Sequence, residues 1–336
     1  MLMLQPKTIL HINVSRIGDT LLATPVIRAL ADRWPDAAIT CLGHPKRVEL
    51  LEHLPFVAHV GGITKNTARW MGRLPGKQYD LAVVHGFDKA LIWYALRVAH
   101  KVVAFKQADN ALNQRLYRCI QRPVLDSVPA VDIQLALTNA LEIEPAGRFL
   151  SFALSEQEQQ AALARLQAAS IIGRKPLIGL MVESFPTKPY RDWPIQHFSA
   201  TAQQILQHCP SAHFLLFGGQ LPAEKIQQMQ RDLGDRITVY AGKLSLRETG
   251  SMMQKLDLYI GVDTGPTHLA GALGVPMIGL YHCLHRGKWL APREHPKLVV
   301  LEHPASDDEC SAQRSMSEIG VDQVVPHALQ LLGLAQ

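Results

Sequence analysis

Short apolar runs rich in β-branched residues recur along the chain, each followed by residues of helical periodicity, and this alternation constrains the fold more than any other feature. TILHINV (8–14) is the first such run, and an amphipathic helix over 20–34 follows it until Pro35 stops it. AAITCLG (37–43) comes next, with a helix over 46–54, then VAHVGGI (57–63) and YDLAVVHG (79–86). A helix over 89–99 leads into KVVAF (101–105). Strand and helix alternating at this spacing predict an α/β fold with a parallel, doubly wound sheet.

After Pro145 the pattern is interrupted, and SEQEQQAALARLQAAS (155–170) reads as a polar helix with Ser155 at its N-cap. A second series then opens with KPLIGLMV (175–182) and continues through SAHFLLFGG (211–219), a helix over 223–233, and ITVYAG (237–242). LDLYIGV (256–262) and VPMIGLY (275–281) complete it. A chain of 336 residues is long enough for two cores. The expected organisation is therefore a first Rossmann-like domain over 1–155, a linker helix over 156–171, and a second Rossmann-like domain over 172–320. The two should face each other across a cleft, with a terminal helix over 321–336 packing back on the first.

Charged residues make up 19% and apolar residues 47% of the chain, which excludes a disordered protein. A net charge of +5 over this length does not call for nucleic acid, but it suits an anionic substrate or membrane surface. Five scattered cysteines with no CxxC argue against a disulfide framework and for a reducing compartment. The amino terminus lacks a basic n-region and a long apolar h-region, and the most apolar helix, 90–99, is too short to span a bilayer and contains Arg97. A soluble cytoplasmic protein is expected.

Ligands of doubly wound sheets bind outside the carboxyl ends of the strands, and several polar loops fall there. SRIGDT (15–20) places Asp19 at the mouth of a helix, where it reads either as an N-cap or as a general base aimed at a substrate hydroxyl. ESFPTKPYRDWP (183–194) carries Ser184, Thr187, Lys188 and Arg191, which suit a diphosphate or simply a solvated basic loop. In GVDTGPTHLAGALGVP (261–276), Gly265 permits close backbone approach, Asp263 and Thr264 point their oxygens into the turn, and a helix over 267–273 begins there, its N-terminus attracting anions. The loop is neither GxGxxG nor GxxxxGK[ST]. His268 reads as a core histidine or a ligand contact, and Asp263 beside an anion site suggests a ligand carrying both phosphate and sugar. Glu224, in FGGQLPAEK (217–225), either accepts from a sugar hydroxyl or merely sits in the first turn of a helix.

With SRIGDTLLATPVIRAL, RDWP, the FGG loop with Glu224, GKLSL (242–246) and GVDTGPTHLAGALGVP in this order, the chain resembles glycosyltransferase family 9, which contains the lipopolysaccharide core heptosyltransferases. The resemblance spans nearly the whole length. It implies a GT-B fold and inverting, metal-free transfer of heptose from ADP-heptose, a nucleotide-sugar donor, to a lipopolysaccharide inner-core acceptor. Carried over by motif, Asp19 would be the base, and Asp263, Thr264, Gly265 and His268 would hold the donor's sugar and diphosphate. Thr187 with Lys188 or Arg191 would bind phosphate, and Glu224 and Leu244 would line the nucleoside pocket. Two departures stand out. Arg191 occupies a position where many relatives have Lys, and HCLHRGKWLAP (282–292) replaces a Gly- and Thr-rich turn.

No metal or other cofactor is expected. His282, Cys283 and His285 are too tightly spaced for an ordinary structural zinc site and show no fourth ligand, and Asp307-Asp308-Glu309 is not a DxD motif. The basic stretch 96–122, with Arg97, Lys101, Arg115 and Arg118, reads as a solvated helical face or as a surface for the lipid-linked acceptor at the cytoplasmic face of the inner membrane. Two rivals share the architecture. A sugar-nucleotide epimerase needs acid/base groups on both sides of the sugar, and a nucleotide-sugar sensor needs no carboxylate at position 19. Transfer of a different nucleotide sugar is the nearest alternative.

Overall fold

The computed structural model describes residues 4–71 and 76–335. They form two compact units that meet in sequence at Ala153 and Leu154. In the first unit, β1 (Thr8–Asn13), β2 (Ala38–Gly43), β3 (His59–Gly62), β4 (Tyr79–Val84), β5 (Ala99–Phe105) and β6 (Arg118–Ile120) form one parallel sheet in the order β3-β2-β1-β4-β5-β6. In the second, β7 (Leu177–Met181), β8 (His213–Phe217), β9 (Ile237–Val239), β10 (Leu258–Val262), β11 (Met277–Tyr281) and β12 (Leu298–Glu302) repeat that order as β12-β11-β10-β7-β8-β9. Both are doubly wound α/β sheets of the GT-B type, and in each the strand order reverses between the first and fourth strands, β1–β4 and β7–β10.

The same device pins the two reversal points. Asp80, at the start of β4, accepts from the N–H groups of Lys7 and Thr8 at 2.8 and 3.0 Å, fixing the entry of β1. Asp257, just before β10, accepts from the N–H of Leu177 at 2.7 Å and fixes the entry of β7. Carboxylates thus satisfy backbone donors that the ladder leaves open at the amino ends, and the carboxyl ends remain for ligands. Apolar residues fill most of the central strands, as parallel strands buried on both faces require, with the buried His11 of β1 an exception. Separate cores form around Leu10, Ile12, Val84 and Ile92 in one unit and Ile178, Trp193, Phe214 and Ile260 in the other.

Several expectations are corrected. The helix expected over 20–34 is two helices, Ile17–Leu22 and Thr24–Arg33, with Ala23 between them and Pro25 in the first turn of the second. The basic stretch is not a helical face: it runs from helix Lys89–Val98 through β5, a one-turn helix at Asn110–Asn113, and edge strand β6. Helix Glu156–Ala168, expected as a linker, belongs to the second unit, where Arg247 donates to the Glu158 carboxylate at 2.6 and 2.7 Å. The terminal helix Val321–Leu331 also belongs to the second unit, burying Val324 and Ala328 in the Trp193 and Phe198 core rather than returning to the first. No helix among the described residues is long and apolar enough to cross a membrane.

Candidate functional site

The donor-loop candidates gather at the β7–β10 reversal point. β10 runs close beneath its own aromatic cover: a Cβ on Gly261 would lie 2.5 Å from the Tyr259 hydroxyl and 2.8 Å from the Cβ of Met181. Beyond the strand, Thr267 donates to the Val262 carbonyl at 2.5 Å, so the Tyr259 hydroxyl donates to Thr267 Oγ1 at 2.9 Å. These bonds fix the turn from Val262 to Thr267. Helix Gly265–Ala272 starts there with Pro266 in its first turn and no side-chain cap. Pro266 has no N–H, and the Thr267 and His268 amides donate to the Thr264 carbonyl at 3.2 and 3.4 Å, so the opening turn offers an anion the Gly265 N–H and the partial positive charge of the macrodipole.

Arg191, in a short 3-10 turn Pro189–Arg191, reaches this loop and is buried there. It donates to the Asp263 carbonyl at 2.7 Å and forms a close ion pair with the Asp263 carboxylate. Arg191, expected with Lys188 as a candidate diphosphate cation, is here engaged by Asp263. His268 Nε2 lies 3.9 Å from the same carboxylate, and its Nδ1 is buried with no hydrogen-bond partner among the described residues. Burial, reinforced by the Arg191 charge, lowers the pKa of His268 to about 4, so the imidazole is neutral near pH 7. Asp263, Thr264, Gly265 and His268 are brought together.

Lys188 and Thr187 lie on the loop after β7, and Thr187 is exposed. Lys188 Nζ is 3.4 Å and the Tyr190 hydroxyl 3.0 Å from His285 Nε2. Burial first, and then the charges of Arg191 and Lys188, lower the pKa of His285 to about 4. The neutral ring is therefore an acceptor that steadies Lys188. Sequence reasoning assigned no role to Tyr190 or His285. The Tyr beside Arg191 and the His in the anomalous 282–292 turn were the available signals, but only the fold shows that they touch. Ser184 closes this loop, its hydroxyl donating to the Lys188 carbonyl at 2.9 Å and its amide to Asp192 at 2.7 Å.

Glu224 is exposed in the first turn of helix Ala223–Leu233, and Leu244 is half-buried in the loop after β9. The two loops meet where the Gly242 N–H donates to the Gly218 carbonyl at 3.0 Å. Gly218 and Gly242 have φ of 153° and 71°, conformations that favour glycine.

Asp19 lies at the other reversal point, beyond β1. It is not an N-cap: Arg16 holds that position, and Asp19 is in the first turn of Ile17–Leu22. Asn13 Nδ2 donates to the Asp19 carbonyl at 3.0 Å, and the Arg47 guanidinium donates to the Ser15 carbonyl at 2.9 Å, so the approach to Asp19 is braced from two sides. Asp19 keeps an exposed face, yet crowding by its neighbours removes enough water to raise its pKa, while Arg16 and Arg122 pull the other way. Arg16 was assigned no role from the sequence, and Arg122 was read only as the end of the basic stretch 96–122.

The basic residues divide. Arg97 turns inward to the carbonyls of Ala68 and Met71 and so braces the chain end of helix Lys65–Ala68. Arg115 lies 4.6 Å from the Trp93 ring, and Lys101 and Arg118 lie 4.6 and 4.4 Å from the Tyr117 ring. Cation and aromatic face are paired there on the flank of β5 and β6.

The cysteines, read as forming no disulfide framework, include one bonded pair. Cys283 and Cys310 form a disulfide with Cα atoms 5.8 Å apart. Their separation in sequence hid this. The two follow neighbouring parallel strands, β11 and β12, whose ladder continues with the His303 N–H donating to the Tyr281 carbonyl at 2.8 Å.

Known proteins carry the same organisation. The chain is 23% identical over 286 residues to the lipopolysaccharide core heptosyltransferase OpsX of Haemophilus influenzae, covering 82% of this chain and 79% of that protein. A family 9 glycosyl transferase of Veillonella parvula superposes with a TM-score of 0.83 at 18% identity, covering 98% of each chain. The E. coli ADP-heptose lps heptosyltransferase II superposes with a TM-score of 0.78 at 20% identity, covering 97% of this chain and 98% of its own. The model of glycosyltransferase family 9 (heptosyltransferase) matches residues 68–318, more than half of the chain. This protein is a glycosyltransferase and belongs to family 9, the heptosyltransferases.

Proposed function

We propose that this chain transfers heptose from ADP-heptose to a lipid-linked inner-core acceptor of lipopolysaccharide, with inversion and without a metal in the reaction. The observation that carries the proposal is the set at the β7–β10 reversal point. A carboxylate neutralised by a buried arginine, a helix N-terminus and a steadied lysine meet within one loop system. Asp263 accepts from sugar hydroxyls. The Gly265 amide with the dipole of helix Gly265–Ala272 and the Lys188 ammonium take the charge of the departing ADP. Thr187 adds a hydroxyl to the phosphates, and the paired loops bearing Glu224 and Leu244 receive the nucleoside. The names of the relatives support the donor and acceptor classes.

Asp19 removes the proton of the acceptor hydroxyl as that oxygen attacks the anomeric carbon. Its bond to carbon forms as the bond to ADP breaks, which inverts the centre. Arg16 and Arg122 favour the ionised carboxylate, while crowding keeps its basicity from falling too low for the task. The cation–aromatic pairs of Arg115, Lys101 and Arg118 give the first unit an amphipathic surface suited to the anionic acceptor lipid or to the inner leaflet.

The decisive experiment is transfer from ADP-heptose to deacylated inner-core acceptor by Asp19→Ala, followed by mass spectrometry. Turnover is expected to fall by a factor of at least about 100 with ADP affinity nearly unchanged. Near-normal turnover would refute the assignment of the base.

A further inference from the structure

Where β11 ends, the chain carries His282 and Cys283, and where β12 ends it returns past Cys310 to Arg314. A ring nitrogen of His282, Cys283 Sγ and Cys310 Sγ all lie within 4.8 Å of one another. We propose that, once reduced, Cys283 and Cys310 bind a zinc-class divalent cation together with His282, so that the same pair is either a disulfide or a metal clip.

The donor set suits such an ion. Two thiolates and one imidazole are ligands for Zn²⁺ and select against Mg²⁺ and Ca²⁺, which take oxygen. The imidazole is already turned the right way. His282 Nε2 donates to the Arg314 carbonyl at 3.2 Å, which leaves the Nδ1 lone pair on the side of Cys283, 3.7 Å from its sulfur. A carbonyl behind a ligating histidine fixes tautomer and ring orientation in metal sites. Nδ1 now receives the Leu284 N–H at 3.1 Å, a contact the ion would replace. His282 and Cys283 are buried while Cys310 is partly exposed, so an ion has a route in and the fourth position opens to water.

The two states exchange by balanced chemistry. A thiol or phosphine reductant supplies two electrons to the S–S bond, water supplies two protons, and two thiols result. Binding of M²⁺ then releases both protons. Either state fastens the turn Cys283–His285 to the segment after β12, and His285 is the acceptor facing Lys188 and Tyr190. The clip would therefore set the position of the lysine loop without touching substrate.

The test uses the full chain reduced with a water-soluble phosphine under nitrogen and titrated with Co²⁺. A one-to-one complex with sulfur-to-cobalt charge-transfer absorption is expected, lost on adding Zn²⁺ and lost in Cys310→Ser. Cys119→Ser with Cys209→Ser should retain it. The oxidised protein should show no such band. Should Cys310→Ser fail to fold by circular dichroism, alkylation of the reduced wild type with and without Zn²⁺ decides. Peptide masses should show Cys283 and Cys310 protected by the metal and Cys119 modified equally in both. Absence of the charge-transfer band in reduced wild type, or protection that falls on other cysteines, overturns the proposal.

Discussion

Arg191→Met is the most informative perturbation of the second unit. The side chains of Arg191 and Asp263 are 7% and 6% exposed, so almost no water screens the pair. Removing the guanidinium strands a buried carboxylate and also strips the Asp263 carbonyl of its 2.7 Å donor. Breaking a buried pair from one side costs about 3–5 kcal/mol. For a unit of this size that lowers its Tm by about 6–20 °C, which differential scanning calorimetry reads directly. Arg191→Met combined with Asp263→Leu removes both charges and fills the space with apolar atoms, so most of the lost stability should return. Donor binding should not return with it, since Asp263 is assigned to the sugar. A shift of less than about 1 kcal/mol in the single variant, or a double variant no more stable than the single, would show that the pair is not the buried linchpin described above.

Three further outcomes are expected. The Arg247 hydrogen bonds lower the pKa of Glu158 to about 2. The folded state therefore binds fewer protons than the unfolded state between pH 4.5 and about 2, and stability from this pair is full above that window and lost as pH falls through it. The Tm gap between wild type and Glu158→Gln should accordingly close on acidification, and a gap that stays constant to pH 2 would contradict the assignment. Lys188→Ala should weaken ADP binding roughly 10- to 100-fold by isothermal titration, as expected for one lost charge-assisted contact to phosphate; an unchanged Kd would remove Lys188 from the diphosphate site. Replacing Lys101, Arg115 and Arg118 together with Gln should abolish co-sedimentation with vesicles containing anionic lipid, and undiminished binding would discard the membrane surface.

The sequence displayed its central strands plainly because burial on both faces forces unbroken apolar runs, as in LIGLM of β7 and LYIGV of β10. Edge strands β3 and β9 were also legible, but β6 and β12 were hidden. β6 is only Arg118–Ile120, and β12 is partly exposed along its length, so neither carries the apolar signature. Helix Leu246–Met253 was missed too, although its Ser245 and Glu248 form a capping box. The donor loop was legible because its small polar residues interrupt two apolar strands, where packing alone supplies no reason for them. Partnerships were not legible. Arg191 and Asp263 stand 72 residues apart, and Lys188 and His285 stand 97 apart. Nothing local distinguishes a paired arginine from one waiting for phosphate. Cys283 and Cys310 failed for the same reason, since adjacency of β11 and β12 is a property of the sheet order.

The arrangement answers why an acidic residue stands in a loop read as a phosphate site. An unpaired carboxylate beside a helix N-terminus would cancel the field that draws the anion. Arg191 removes that conflict, because its charge is spent on Asp263 and the pair is neutral as a whole. His268, neutral near pH 7, adds no charge. The helix N-terminus and Lys188 add positive terms, and Lys188 faces the neutral acceptor His285. An aspartate at position 285 would set a negative charge against Lys188, whereas the histidine there, in the turn where the sequence departs from its relatives, faces the lysine without one. His285→Asp should therefore impair ADP binding more than His285→Gln, although the acidic variant offers Lys188 the stronger partner. Calorimetric Kd values in the reverse order would show that Lys188 serves the fold of the loop and not the ligand.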